Sequence, residues 1–299
     1  MAGGCRRAEG LAMKPGELAI HVSLDALFRR NAQARPDALA LADPVDRMSF
    51  TDGAPLRLSY SEADVAIDRL ARRLQSFGLG DGAVVAIQLP NIVEAVIALL
   101  AVLRAGLIAA PVPVLWRRSD LVAVLGPLEV KALLTTTRLG NARPAEAVCE
   151  AAVDLFSLSF PCAFGADAPD GVISLDLAAA GPEMSTDFLP VSSAASSAVA
   201  IATFDAAPRG FYAVGRSHAE WIASGLAGLL EARIGAGDSI VSTLPPASLA
   251  GIGAGLVPWL LSGGALELVY GYLPVLAPAK NIRTHLLAPA AALPEIERR

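Results

Sequence analysis

A stretch near the middle of the chain, AVAIATFDAAPRGFYAVGRSH (198–218), has the layout of a phosphate-binding loop. An apolar run predicts a strand that breaks at residues 203–205, passes through Pro-Arg-Gly at 208–210 and leads after Ser217 into a helical pattern. Backbone N–H groups and the positive end of a helix bind anions at such a junction, and an arginine adds a cation. The candidate phosphate-binding residues are Thr203, Asp205, Arg209 and Gly210.

The same loop lacks the glycines that phosphate binding usually needs. No glycine lies between Thr203 and Arg209, so the backbone cannot readily curl its N–H groups around a phosphate. Asp205 also places a negative charge where a triphosphate would lie. Two interpretations of Arg209 stay open, a phosphate clamp and a surface or ion-paired arginine.

Composition predicts a folded protein that does not bind nucleic acid. The 299 residues are 54% hydrophobic and 18% charged, which suffices for a large core, and the net charge of −5 offers no basic surface. The three cysteines (Cys5, Cys149, Cys162) are far apart, and the three histidines are isolated from one another. This pattern favours reduced thiols in the cytoplasm and gives no support to a metal site.

One long uncharged segment, residues 239–266, raises the question of a membrane span. Three prolines and five glycines interrupt it, which favours a buried strand–helix unit over a spanning helix. The N-terminus has no apolar core after its arginines and therefore does not read as a secretory signal.

The elements around the loop alternate between strand and helix. The clearest helix is predicted after Tyr60, with Ser61 as its cap. Its apolar positions recur at helical spacing and are Ala63, Ile67, Leu70, Leu74 and Phe77. Continuous apolar strands separated by helix-length crossovers indicate an α/β fold of parallel sheets flanked by helices.

The predicted domain organisation has three parts. Residues 1–17 form a flexible tail, 18–190 a first α/β lobe and 191–299 a second lobe. The boundary lies in a segment rich in Ala, Ser, Gly and Pro (178–197), which reads as a linker.

Four stretches resemble the AMP-forming adenylating family, which includes acyl-CoA and aryl-CoA synthetases, luciferases and the adenylation domains of peptide synthetases. The stretches are LFRRNAQARPDALAL (27–41), LSYSEADVAIDRLARRLQSFGLGDGAVVAIQLPN (58–91), LAVLRAGLIAAPVPV (100–114) and LPPASLAGIGAGLVPWLLSGGALELV (244–269). The resemblance implies the N-terminal domain of an acyl-CoA synthetase, present in part and built as two lobes. It also implies ATP and Mg²⁺ as cofactors, and a small carboxylic or fatty acid that is activated as an acyl-adenylate.

The sequence departs from the family pattern at the positions that would do this chemistry. Residues 208–210 match only the end of the family's Pro-Lys-Gly loop, and Ala247-Ser248 stands where many acyl-CoA synthetases have an aromatic residue and a histidine. His218 is open to a helix-start role or a nucleotide-site role. The candidate substrate-binding residues are Ser248, Gly251 and His218. Trp221 and Trp259 are predicted to lie in the core.

The family's adenine, magnesium and ribose motifs and its catalytic lysine would follow the last matched segment, Asn281–Arg299. We therefore predict no catalytic residue and no metal ligand here, and expect a ligase-derived chain that does not catalyse adenylation alone. The alternatives are a non-catalytic acyl-binding or interaction module, or the front half of a split ligase completed by a second polypeptide. Association with a membrane surface is a weaker third alternative. An uncovered sheet edge also predicts self-association.

Overall fold

The structure is a computed structural model that describes residues 22–177, 197–208, 210–271 and 282–289. The predicted tail, most of the predicted linker, and Arg209 lie outside the described residues. The helices are α1 (Leu24–Ala34), α2 (Tyr60–Gln75), α3 (Val93–Arg104), α4 (Arg118–Leu125), α5 (Pro144–Ala152), α6 (His218–Ala232) and α7 (Val257–Ser262). The strands are β1 (Leu39–Ala42), β2 (Arg57–Ser59), β3 (Val84–Ile87), β4 (Ile108–Pro111), β5 (Ala132–Thr136), β6 (Phe160–Phe164), β7 (Ile173–Leu175), β8 (Val199–Ala207), β9 (Gly210–Ser217), β10 (Ser239–Ser242), β11 (Ala265–Leu268) and β12 (Thr284–Leu287).

These strands form two sheets, which confirms the predicted α/β class. The five-stranded sheet has the order β12-β10-β11-β1-β2, and the seven-stranded sheet has the order β7-β6-β5-β3-β4-β8-β9. Neighbouring strands are parallel except in the β1–β2 and β8–β9 pairs. Both sheets combine strands from either side of residue 190. The division into two lobes at that residue remains a prediction.

Helix α2 has the predicted apolar face but begins at a different cap. Ser59, and not Ser61, accepts the N–H of Glu62, and the Glu62 carboxylate accepts the N–H of Ser59 in return. This reciprocal pair satisfies two otherwise unpaired donors, which explains why the helix begins earlier than predicted. Four of the predicted apolar residues are buried, namely Ala63, Ile67, Leu70 and Leu74. Phe77 lies beyond the helix and stacks on Phe160 with 4.4 Å between ring centroids.

Helix α3 lies at the centre of the molecule and is buried on every side. It carries an arginine near its C-terminus, Arg104, whose guanidinium lies 2.9 Å from a carboxylate oxygen of Asp25 and 2.6 Å from one of Asp64. Burial opposes the charge of Arg104, but the two carboxylates outweigh it and raise the pKa of this residue. The pairing joins α3 to α1 and α2.

Asn91, which lies just before α3, joins this helix to the five-stranded sheet. Its amide nitrogen donates to the carbonyl oxygens of Ser242, Leu244 and Val269, at 3.4, 3.0 and 2.9 Å. Because those carbonyls follow β10 and β11, one side chain fixes the ends of two strands against the start of α3.

The uncharged segment 239–266 folds as β10, a π-helical turn at Gly251–Leu256, α7 and the start of β11. Among the residues described, no helix combines the length and the apolar character needed to cross a membrane. Trp221 and Trp259 are both fully buried, which confirms their predicted place in the core.

Candidate functional site

The stretch with the layout of a phosphate loop is an antiparallel hairpin. Strand β8 continues without a break through residues 203–205 to Ala207, and β9 begins at Gly210 directly opposite. The predicted break was therefore wrong, because pairing with β9 holds these residues extended despite their mixed polarity. Pro208 follows β8, and Arg209 lies outside the described residues.

This pairing leaves little backbone for an anion to use. In an antiparallel ladder, successive N–H groups point to opposite edges of the strand, so they do not converge on one point. Gly210 has a φ of +120°, a conformation that suits glycine, and a side chain there would meet open space. Its role in the structure is to close a tight turn.

The two polar candidates on β8 are held by a residue that the sequence analysis did not single out, Arg216 on β9. The Arg216 guanidinium donates to the hydroxyl of the buried Thr203 at 2.5 Å and lies 3.9 Å from the Asp205 carboxylate. It also lies over the indole ring of Trp221, 5.6 Å from the ring centroid. The loop's hydroxyl and its carboxylate therefore already have a cationic partner within the hairpin.

The start of α6, which follows the hairpin, is capped by its own side chains. Ser217 donates its N–H and its hydroxyl to the Glu220 carboxylate at 2.7 and 2.8 Å, and the N–H of Glu220 donates to the Ser217 hydroxyl. The bonds from Ser217 lower the pKa of Glu220, so its negative charge is stabilised at the positive end of the helix. A bound phosphate would compete with this carboxylate for the same N–H groups.

His218 is the first residue of α6 and is buried. Its Nδ1 accepts the backbone N–H of Leu24 at 3.3 Å, which joins α6 to α1. Burial lowers the pKa of His218, although the nearby Asp25 acts in the opposite direction. The contacts of this side chain are those of a neutral histidine that links two helices.

Ser248 and Gly251 shape the turn after β10. The Ser248 hydroxyl donates to the carbonyl oxygen of Pro245 at 2.8 Å and accepts the N–H of Gly251 at 2.9 Å. A Cβ atom on Gly251 would lie 2.1 Å from that same carbonyl oxygen, so only glycine fits there. Both residues are engaged in the turn itself.

The segment between residues 242 and 264, which holds the candidate substrate-binding residues Ser248 and Gly251, encloses almost no open space. A cavity of about 20 Å³ lies there, lined by apolar side chains, by Gly251 and by Asn91. The Oδ1 atom of Asn91 has no hydrogen-bond partner among the described residues. This volume admits a single water molecule and excludes an acyl chain.

The structure therefore brings Thr203 and Asp205 together on β8. His218 begins α6, and Ser248 and Gly251 lie in a separate turn. Arg216 and Asn91 are the residues that sequence reasoning missed. Arg216 could have been found by centring a hairpin on Pro208 and Arg209, because that pairing sets Arg216 across from the start of β8.

Comparison with known proteins identifies the class as the adenylate-forming enzymes. The family described as AMP-binding enzyme matches residues 28–174. A salicyl-AMP ligase / salicyl-S-ArCP synthetase of Mycobacterium tuberculosis is 41% identical over 86 residues, 29% of this chain and 14% of that protein. A medium-chain fatty-acid–CoA ligase of Escherichia coli is 30% identical over 126 residues, 42% of this chain and 21% of that protein.

The fold agrees with these matches. The crystal structure of an anthranilate CoA ligase, AuaEII, in complex with anthranoyl-AMP superimposes with a TM-score of 0.71 at 14% identity, over 87% of this chain and 47% of that one. Residues 28–174 of the chain belong to the AMP-binding enzyme family. The chain spans less than half the length of each of these three relatives.

Proposed function

We propose that this chain is a ligase-derived binding or interaction module that does not activate a carboxylic acid by itself. The observation that carries the proposal is the hairpin, whose strands pair as far as the register Ala207 with Gly210. Its carboxylate, Asp205, and its buried hydroxyl, Thr203, are both partnered by Arg216. The family's ATP and Mg²⁺ do not fit this arrangement, since a magnesium-bound triphosphate needs converging donors and free cations.

The remaining candidate residues support the same proposal. His218 bonds to the backbone of α1, and Ser248 and Gly251 bond within one turn. None of these three presents a free donor or acceptor in the arrangement that acyl transfer requires. We therefore assign no catalytic residue and no metal ligand among the residues described.

An assay of pyrophosphate release tests the proposal. Purified protein is mixed with ATP, Mg²⁺ and one acid at a time, using salicylate, anthranilate and octanoate, the acid types that the relatives' names print. We expect no pyrophosphate above the rate without protein, and no ATP-dependent rise in melting temperature. A complete adenylate-forming ligase serves as positive control, and turnover by this chain alone would refute the proposal.

A second candidate is the front part of a split or longer ligase. Strand β12 favours it, because this strand is the edge of the five-stranded sheet and its residues are only half-buried. A further strand would find unpaired backbone groups there. Sequencing the DNA beyond codon 299 tests this candidate: a reading frame that encodes the family's later motifs would support it, and unrelated DNA would oppose it.

The cysteines bear on the cellular location of the protein. Cys162 is buried, and burial raises the pKa of its thiol to about 12, so it is an unreactive core residue. We propose a cytoplasmic protein in which any role in fatty acid metabolism comes through binding.

A further inference from the structure

A second cavity lies far from the hairpin, at the opposite edge of the seven-stranded sheet. The sheet order places β7 at one edge and β9 at the other. The cavity, of about 760 Å³, lies between α2 and the carboxyl ends of β6 and β7. Its size is that of a pocket for a small organic molecule.

The walls of this cavity are largely apolar. They come from β2 and the loop before it, from one face of α2, and from β6 and β7. The apolar side chains that line it include Leu56, Leu58, Ala66, Phe164, Leu175 and Leu177. A ligand with an apolar body would gain by burying its surface here.

Two charged residues, Glu94 and Arg47, line the same cavity and are almost fully buried. Arg47 donates to one oxygen of Glu94, and its other N–H groups go to Asp43, Thr51 and the Asp52 carbonyl. Four of the five guanidinium N–H groups of Arg47 therefore have partners. The second oxygen of Glu94, Oε2, has no hydrogen-bond partner among the described residues, although Glu94 is only 6% exposed.

A buried oxygen without a hydrogen-bond partner destabilises the folded protein, and a ligand group that donates a hydrogen bond to it removes that destabilisation. An anion there would face the Glu94 carboxylate, and a cation would compete with Arg47, which already neutralises it. A hydroxyl group both donates and accepts, so it can pair with either protonation state of the carboxyl group.

We propose that this cavity binds a neutral apolar molecule that carries one hydroxyl group, with the hydroxyl bonded to Oε2 of Glu94. This goes beyond the function proposed above and does not depend on it, because the two sites share no residue.

Titration with 1-octanol tests the proposal, followed by calorimetry and by melting temperature. Octanoate and octylammonium have the same chain length and opposite charges, and they serve as the matched probes. We expect saturable binding of 1-octanol and at least about tenfold weaker binding of both ions, which corresponds to about 1.4 kcal/mol. Both charged probes are demanding controls. The exposed Arg69 at the cavity wall would favour a carboxylate, and Asp52, Glu62 and Asp176, which also line the cavity, would favour an ammonium group.

Two variants connect binding to this cavity. Val65 lines it and is 49% exposed, so Val65→Trp narrows it without disturbing the core. Leu226→Trp on α6 is the control, at a residue 43% exposed and outside the cavity. Ala66→Leu fills the cavity from the buried side of α2. We expect V65W and A66L to weaken octanol binding by at least about tenfold, and L226W to leave it unchanged.

Several results would overturn the proposal. These are the absence of saturable octanol binding, equal binding of octanoate or octylammonium, or equal binding by wild type and V65W. Since V65W changes an exposed residue, the test does not depend on whether A66L folds.

Discussion

The interior around α3 and the β8–β9 hairpin differ in how their polar residues are placed. At α3, Arg104 is buried with a side chain only 2% exposed, and it meets carboxylates from two other helices. On the hairpin, Arg216 is partly exposed and bonds to residues of the neighbouring strand. Near the turn, the side chains of Phe211 and Tyr212 are about half exposed, at 49% and 52%.

The difference shows which features of a ligase are separable. Buried pairs and apolar periodicity hold the scaffold together, and losing any of them costs stability. A phosphate loop instead depends on glycine-permitted backbone geometry and free donors, which the scaffold does not require. We therefore propose that the chain has the fold of the family without the means to hold a triphosphate.

Breaking the α3 network should have the largest effect. Arg104→Ala leaves Asp25 paired only with the partly exposed Arg29, and we expect the free energy of unfolding to fall by about 3 kcal/mol. Arg118→Ala is the matched control, since its pair with Asp154 is exposed on both sides, and it should cost less than about 1 kcal/mol. Denaturant unfolding measures both, and equal losses would contradict the contrast between buried and exposed pairs.

Replacing a glycine by alanine tests how tightly the turn after β10 is packed. Gly251→Ala forces a Cβ atom against the Pro245 carbonyl oxygen, so we expect a loss of about 1–3 kcal/mol. Gly228→Ala in α6 is the control, because a Cβ there meets open space and alanine favours a helix, stabilising it by up to about 1 kcal/mol. Thermal unfolding of the two variants should shift in opposite directions, and a stable G251A protein would show that the turn is not tightly packed.

The hairpin should respond less strongly. Arg216→Ala removes the bond to the Thr203 hydroxyl, and we expect a loss of about 1–2 kcal/mol. Thr203→Val in the R216A background should cost less than T203V alone, because the two residues act on each other. A double-mutant cycle by denaturant unfolding measures this coupling, and additive losses would argue against the hairpin bond.

The smallest effect concerns pH. Burial lowers the pKa of His218 below its ordinary value of 6.5, so the unfolded chain takes up this proton first as the pH falls. Stability contributed by neutral His218 is complete above that value and is lost progressively as the pH falls below it. His218→Gln keeps an acceptor for the Leu24 N–H and should flatten this part of the stability curve. Identical curves for H218Q and wild type would contradict the assignment.

The sequence predicted most of the scaffold, because long periodic segments determine their own structure. The buried face of α2 was predicted from its spacing of three and four, and the parallel α/β class from apolar strands separated by helix-length crossovers. The cap of α2 was misplaced by two residues, because Ser59 and Ser61 both precede an acidic residue by three positions. Ser59 is the cap in the structure because β2 ends at that residue and α2 begins at the next one.

The hairpin could not be predicted in the same way. Continuation of β8 through residues 203–205 depends on its register with β9, a contact between segments that local propensity does not specify. Strand β6 was missed because its five residues include Pro161 and no β-branched residue. The contacts of Asn91 were hidden for the same reason, since its side chain bonds to residues of distant segments that the fold brings near.

Calorimetric titration of the purified chain with ATP and Mg²⁺ is the sharpest test of whether the hairpin can hold a nucleotide. We expect no saturable heat of binding at millimolar nucleotide, because Arg216 already partners Thr203 and Asp205 and the N–H groups of the paired strands do not converge. Saturable micromolar binding that is lost in the R216A variant would contradict this expectation.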